Sequence, residues 1–554
     1  MDKVIVDLEF TLTFPPRLVC VGLKQYGEAP RVHIIDHREG GSFGRLEYLK
    51  SFFAKYTGTI IGHNISSDLA VLLWYGIEIN KKATIYDTGL AIKCINENET
   101  RWDLKTWATY LGFPPYWFYF HDHCENPGVA EMDLEELTKY NTMDLVATEA
   151  LFNWCEERLT KQRHIHALEC AMAPIVARSY QHGMAIDKKA LDRHALRLDT
   201  EIAKIKQSIL DKCGMINLRS PQQVARLLFD TLGLTEVKGR STDEEVLSKL
   251  SHPVAKKLLA IRGFGKQKDS YINSLYTLLE KDTSVHADIF IHGTESGRYA
   301  VRNPPLQTYP EELRDVFSPK LGMFVWFDLS QIEFRLDMDV ANEVEMIELI
   351  KKGGDPHVKT MKDIGGIDRQ TAKTANYLLI YGGSANRLKA QLYRDARITI
   401  SYGKAVKIRD AFFETKPMVS KHIQEVKNKL HRTLQMVSPF GRRRSFFYSR
   451  EFLDEGKWAA FEREAVNGEI QSMAHDLVML LTKAIDAQLD HRRAVMVLDL
   501  HDELLFDCQV EYVEQLKKII QTSLDRVPDL CYNWFHYHLK VPIEGTIKDG
   551  PKWK

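Results

Sequence analysis

The sequence predicts a multidomain chain in which an α/β unit is followed by a larger α+β unit. Three observations predict it. Strand-like and helix-like segments alternate over residues 1–150, helical periodicity dominates 151–290, and 322–554 returns to strands that bracket a run of helices. The 554 residues suffice for roughly three to four domains of about 150 residues each.

The first unit opens on the strand VIVDLEF, followed by RLVCVGL and RVHIIDH, a helix near 46–56, the strand TIIGH, a helix near 66–75 and the strand IYDT. In LDRHALRLDTEIAKIKQSIL apolar residues recur at helical spacing, and SPQQVARLLFDTLGL starts on a serine cap with proline at the first helical position. Beyond 322 come the strand MFVWFDL, helices between about 340 and 485, and the apolar strands AVMVLDL and ELLFDCQ, joined tightly at His501 and Asp502. The Gly/Asn/Pro-rich stretch GTESGRYAVRNPPLQTYP at 293–310 is the best candidate for a functional loop.

Charge excludes a uniformly basic nucleic-acid coat, because 75 basic residues meet 75 acidic ones. The balance is a sum of opposites. Residues 1–158 carry 15 Lys+Arg against 23 Asp+Glu, a net of −8, while 369–450 carry 18 against 4, a net of +14. Clustered acids suggest metal cations and the basic stretch suggests a polyanion. The N-terminus MDKVIVDLEF goes straight into a strand and no run of some 18 apolar residues occurs, so neither a signal peptide nor a membrane span is expected. Cysteines at 20, 94, 124, 155, 170, 213, 508 and 531 form no CxxC pair. That argues for reduced thiols, a cytoplasmic location and no structural zinc.

Asp7 and Glu9 lie two apart on one strand, so both project from one face and repel unless a cation separates them. Asn64 and Asp68 in GHNISSDL, and Tyr140 and Asp144 in YNTMDL, are each one helical turn apart. If they converge, Asp7, Glu9, Asp68 and Asp144 can hold two divalent ions about 3.5–4 Å apart, as a two-metal nuclease does. Taken singly, each is an ordinary exposed acid. Towards the C-terminus, Asp328 ends one apolar strand and Asp502 tips an apolar hairpin, and burying such acids is costly without a partner or metal. Between them, Arg369, Lys373, Tyr377 and Tyr381 recur every four residues and make one helical stripe, cations first and aromatics after. That order suits a nucleoside triphosphate; a solvated basic edge beside core tyrosines is the plainer alternative.

Taken in order, DLE, NISSD, YNTMD, SGRYAVRNPPLQ, DLSQIEFR, R-x3-K-x3-Y-x3-YG and HDE resemble the motifs of family A, Klenow-like DNA polymerases over nearly the whole chain. The resemblance implies an RNase H-like 3′–5′ exonuclease domain at 1–158, a helical linker and thumb at 159–292, palm at 293–343, fingers at 344–465 and palm again at 466–554. It implies a phage replicative enzyme, without the 5′ nuclease domain of bacterial relatives and without a thioredoxin-binding insertion. Asp328, the Leu329 backbone and Asp502 are implied ligands of two Mg²⁺ ions, and Asp7, Glu9, Asp68 and Asp144 of two more, with Mn²⁺ as a substitute and Tyr140 assisting. Arg369, Lys373 and His357 are implied to bind the triphosphate, Lys373 also as the proton donor to pyrophosphate. Tyr377 is implied to pack on the incoming sugar and to tolerate dideoxynucleotides, Glu333 to select deoxyribose, and Tyr381 to stack near the template. Arg298 and Gln471 are implied minor-groove contacts, His501 and Glu503 neighbours of the primer terminus, and the GRRR run, through Arg442 and Arg443, a contact to the DNA backbone. Implied partners are primer-template DNA, dNTPs, a helicase or primase and a single-stranded-DNA-binding protein, with the chain itself a monomer. A single-subunit RNA polymerase and a catalytically degenerate processivity protein are the alternatives.

Overall fold

A computed structural model describes residues 2–38, 43–114, 128–500 and 502–553. The chain divides into two compact units, one made of Met1–His182, Ile289–Val301 and Val325–Asp549, the other of Gly183–Asp288, Arg302–Phe324 and Gly550–Lys554.

In the first unit, β1 (Lys3–Phe10), β2 (Leu18–Gln25), β3 (Arg31–Ile34), α1 (Phe43–Lys55), β4 (Thr59–Gly62), α2 (Ser66–Trp74), β5 (Thr84–Asp87), α3 (Thr88–Ile95), α4 (Leu104–Tyr110) and α5 (Leu134–Arg158) follow one another. The sheet order is β3-β2-β1-β4-β5. β1 and β2 are antiparallel, β1, β4 and β5 parallel, so the sheet is mixed and β1 is central. Central position explains the near-continuous apolar run of β1, with Val4, Ile5 and Val6 all buried. Helix α5 starts where Asp133 accepts from the N–H groups of Glu135 and Glu136. It lays Leu145, Leu151, Phe152 and Cys155 against Ile5 and Ile61 of the sheet. α6 (Arg163–His182) continues the same unit.

The second unit is built on α7 (Lys188–Cys213), whose Ile209 packs with Val224, Leu228, Val246 and Leu258. The helix expected over 220–234 does start at Pro221, capped by Ser220, but from Arg226 to Thr231 it widens into a π-helical turn. There the N–H of Leu232 reaches back to the carbonyl of Leu227, 2.9 Å. The wider turn brings three successive side chains, Leu227, Leu228 and Phe229, into the core.

The C-terminal half of the first unit contains β6 (Gly322–Leu329), whose first residues belong to the second unit, then α8 (Pro356–Ile364), α9 (Arg369–Leu379), β7 (Arg443–Ser445), α10 (Glu455–Asp486), β8 (Ala494–Leu500), β9 (Glu503–Gln509) and β10 (Gly545–Gly550). Four of these strands form one sheet in the order β8-β9-β6-β10. The four-residue stripe beginning at Arg369 is cut short, because α9 stops at Leu379 and Tyr381 lies in the turn before Gly382, whose φ of +67° suits glycine. Among the described residues no helix is long and apolar enough to cross a membrane.

Candidate active sites

The strand alternation of β1 places Asp7 and Glu9 on one face, opposite Gly22 and Cys20 of β2. α5 brings Asp144 to them: ligand oxygens of Asp7, Glu9 and Asp144 lie within 4.8 Å of one another. Asp68, on the first turn of α2, adjoins the trio and accepts the Leu8 N–H at 3.0 Å. Burial, reinforced by Glu9, Asp144 and Asp68, pushes the Asp7 carboxyl well above the usual carboxylate range. Burial pushes Asp68 to about 8 and Asp144 to about 6, the latter restrained by Lys105 and Tyr140. Crowded, desolvated oxygens of this hard kind fit divalent cations such as Mg²⁺.

Two residues of this site carry no signal in the sequence. Lys105 of α4 has its pKa lowered by burial while Asp144 and Glu9 oppose the shift, and its ammonium sits 5.1 Å from the Tyr140 ring centre. Asn141 donates to Asp7 Oδ2 at 2.7 Å and to the Asp7 carbonyl at 3.2 Å. That approach requires Gly22, since a Cβ there would lie 2.1 Å from Asn141 Oδ1. Gly22→Ala should therefore displace Asn141 and weaken divalent-cation binding at this site by about 10- to 100-fold, the usual cost of disturbing a support to a metal ligand. Calorimetric titration with Mg²⁺ against wild type checks this.

In the second site, β6 delivers Asp328 and the β8–β9 hairpin delivers Asp502. The backbone joins them: the Leu329 N–H donates to the Asp502 carbonyl at 2.9 Å. On the other side β10 packs so closely that a Cβ at Gly545 would stand 2.9 Å from the Asp328 carbonyl. Burial, then Asp328 and Glu333, pushes Asp502 up to about 6. Burial also raises Asp328, against the pull of Lys548 and Lys373. Lys548, on β10, is a neighbour that no motif announced. Glu333 is held from two sides, by the Arg298 guanidinium and the Tyr381 hydroxyl. Gln471 lies half-buried on α10, Glu503 opens β9 opposite Leu500, and His501 lies outside the described residues.

The cationic helix is organised by Asp355. One of its oxygens caps α8, accepting from His357 N at 2.8 Å, and the other receives Arg369 at 2.7 Å. Burial works against ionisation, yet Arg369 and the two capping N–H groups hold Asp355 below the usual carboxylate range. Arg369 and Lys373 are exposed on α9, and Tyr377 is half-buried. His357, on the first turn of α8, is buried. It is only 1% exposed, Asn376 occupies its Nδ1 at 2.8 Å, and burial lowers its pKa to about 4. The ring is neutral at pH 7, and Nε2 is buried without a partner.

The arginine run is the larger correction. Arg442 is 2% exposed and is no contact to DNA: it is fixed between Glu169 and Asp476, each at 2.6 Å. Glu169 also receives His292 Nδ1 at 3.0 Å and Cys94 Sγ at 3.2 Å. Arg444 is likewise bridged to Glu295 and Glu464, whereas Arg443 is half-buried in β7. Arg442→Met should destabilise the fold by about 3–5 kcal/mol, because it leaves Asp476 buried without its cation and Glu169 with only His292 and Cys94. Chemical denaturation against wild type checks this.

Comparison with known proteins agrees with the order of these sites. The profile of DNA polymerase family A matches residues 188–554 and that of a 3′–5′ exonuclease matches residues 1–160. DNA polymerase I of Treponema pallidum is 26% identical over 538 residues, covering 92% of this chain and 52% of that protein. The thermostable DNA polymerase I of Thermus thermophilus is 28% identical over 455 residues, covering 77% of this chain and 53% of that one. The chain thus spans about half the length of the curated relatives it matches. In fold it is similar to the POL domain of Pol1 from M. smegmatis, solved with DNA primer-template and dNTP, with a TM-score of 0.81, 22% identity and coverage of 99% and 95%. Two carboxylate sites on two sheets, one beside a cationic helix, define the class, and the chain belongs to DNA polymerase family A, preceded by a 3′–5′ exonuclease domain.

Proposed function

We propose that the chain is a DNA-templated DNA polymerase that adds dNTPs to a primer 3′ end and hydrolyses misadded nucleotides in the 3′–5′ direction. The observation that carries this reading is the presence of two separate carboxylate groups, Asp328 with Asp502, both exposed, and Asp7 with Glu9 and Asp144, half-buried to buried. The first pair, with the Leu329 backbone, is suited to hold two Mg²⁺ ions, and the second group, with Asp68, two more. Such ions make a bound hydroxyl or water a better nucleophile and neutralise charge developing on phosphoryl oxygens.

The remaining roles fall to the chain's own side chains. Arg369 and Lys373 bind the triphosphate, His357 Nε2 donates to it as a neutral group, and Lys373 holds the proton for the leaving pyrophosphate. Tyr377 packs on the incoming sugar and base. Glu333, held by Arg298 and Tyr381, occupies the space that a 2′-hydroxyl needs. Arg298 and Gln471 face minor-groove acceptors common to all correct pairs, Glu503 lies by the primer terminus, and Arg443 contacts the DNA backbone. In the other site Tyr140 and Lys105 orient the scissile phosphate. Base-pair recognition by binding alone supplies about 1–3 kcal/mol, so a second, editing site raises accuracy beyond that limit. A helicase or primase and a single-stranded-DNA-binding protein are the partners this activity calls for. The phage setting rests on the sequence reading alone, since the relatives named above are bacterial.

Extension of a primed template with dNTPs or rNTPs tests the proposal. Incorporation of dNTPs with strong exclusion of rNTPs is expected, and equal use of rNTPs would favour an RNA polymerase instead. The shifted carboxyls add a pH signature. Because the folded values of Asp502, Asp144 and Asp68 lie above the ordinary ones, ionising them costs stability in the metal-free protein as pH rises through about 6 to 8. Mg²⁺ offsets that cost only when the carboxyls are ionised. The thermal midpoint should therefore rise with Mg²⁺ at pH 8 and stay unchanged at pH 5; calorimetry with and without EDTA measures both.

A further inference from the structure

Residues 447–452 stand apart from the rest of the surface. Phe447, Tyr448 and Phe452 are 65%, 57% and 78% exposed, three large rings in six residues, with the exposed Arg450 among them and one acid, Glu451. Leaving such area in water is unfavourable by about 25 cal/mol per Å², so an exposed cluster of this kind marks a binding surface.

The segment is held firmly at both ends. Before it, the Phe446 N–H donates to the Leu434 carbonyl at 2.8 Å and the Phe446 ring packs on Phe461 at 5.3 Å. After it, Asp454 caps α10 through the Lys457 N–H at 2.8 Å. The strand at its base touches both candidate sites. Arg444 binds Glu295 at 2.5 Å, three residues before the Arg298 that holds Glu333. Ser445 donates to Glu97 and accepts from Asn98 at 3.0 Å, in the segment that leads into α4 and Lys105. The rings thus rise from a strand whose two neighbours lead to the two catalytic groups.

We propose that Phe447, Tyr448 and Phe452, with Arg443 and Arg450, form a stacking platform for the single-stranded 3′ end of DNA as it passes between the polymerising and hydrolysing sites. This rests on the function proposed above. Aromatic faces stack on bases of any sequence and arginines neutralise the backbone, which is the composition a sequence-independent single-strand surface needs. The +14 net charge of residues 369–450 favours the same occupant over an apolar protein partner.

The test compares wild type with the triple variant Phe447→Ala/Tyr448→Ala/Phe452→Ala, and with a control lacking two other exposed rings, Tyr393→Ala/Tyr402→Ala. Fluorescence anisotropy of a labelled oligo(dT) of about 12 nucleotides is read in EDTA, so that nothing is cleaved. The triple variant should lose about tenfold or more in affinity, and the control should not. With Mg²⁺, the triple variant should extend a matched primer at the wild-type rate but degrade a terminally mismatched primer more slowly, and the aromatic replacements Phe447→Tyr and Phe452→Tyr should preserve both. Unchanged oligonucleotide affinity, or an equal loss in the control, overturns the platform. Absence of both extension and degradation in wild type would instead sink the enzymatic reading, a separate result, because the binding assay requires no turnover.

Discussion

Asp502→Ala should stop primer extension while leaving 3′-end degradation near the wild-type rate. Asp502 is one of two carboxylates that β6 and the β8–β9 hairpin bring together, and its backbone carbonyl is fixed by the Leu329 N–H. The substitution removes the side-chain oxygens and retains that carbonyl, so the sheet register survives. Loss of a cation ligand at a site of phosphoryl transfer removes several kcal/mol of transition-state stabilisation, and each 1.36 kcal/mol is tenfold in rate. The expected fall is therefore about a thousandfold or more. Single-turnover extension of a primed template, run beside degradation of the same primer, reads both activities. Equal loss of both would mean that the two carboxylate groups serve one reaction.

The reciprocal substitution, Asp7→Ala with Glu9→Ala, should remove degradation by a similar factor and spare extension. It should also stabilise the metal-free fold at neutral pH. Asp7, half-buried, and Glu9, buried, lie side by side, each raised well above the ordinary range by desolvation and by neighbouring acids, so the native chain bears repulsion that alanine relieves. A higher thermal midpoint in EDTA together with lost degradation is a paired outcome that a merely misfolded variant cannot give. A lower midpoint would show that these acids hold the sheet together and leave their catalytic role unsupported.

The parts of this molecule that were legible before its structure are those governed by strict periodicity. In β1 the period of two fixes which face Asp7 and Glu9 share, and in α5 the spacing of four sets Tyr140 and Asp144 on one side. The strand bearing Asp328 announces itself because a continuous apolar run carries a single acid near its end, and Asp502 because it sits in the tight turn between two apolar strands. What stayed hidden depends on long-range burial. Lys105 is one lysine in a short helix, indistinguishable in sequence from a solvated one until α5 closes over it. Arg442 sits in a run of three arginines, and only the fold shows that the first turns inward to Glu169 and Asp476, that Arg443 stays half-buried and that Arg444, also buried, meets Glu295 and Glu464. Tyr381 continues an every-fourth spacing past the point where Gly382 and Gly383 end the helix, so the period persists in the sequence after the backbone has left it.

The bonds of Ser445 to Glu97 and Asn98, and of Cys94 to the Glu169 that holds Arg442, also bear on how far this protein is divisible. Contacts between positions some 350 residues apart in sequence tie the end of α3 and the residues after it to β7 and to a buried ionic cluster, so residues 1–158 are not a detachable accessory. Removal of residues 1–158 would strip Cys94 from Glu169 and deprive Ser445 of its partners. Engineers seeking a degradation-free variant would thus do better with point changes at Asp7 and Glu9 than with a shortened chain.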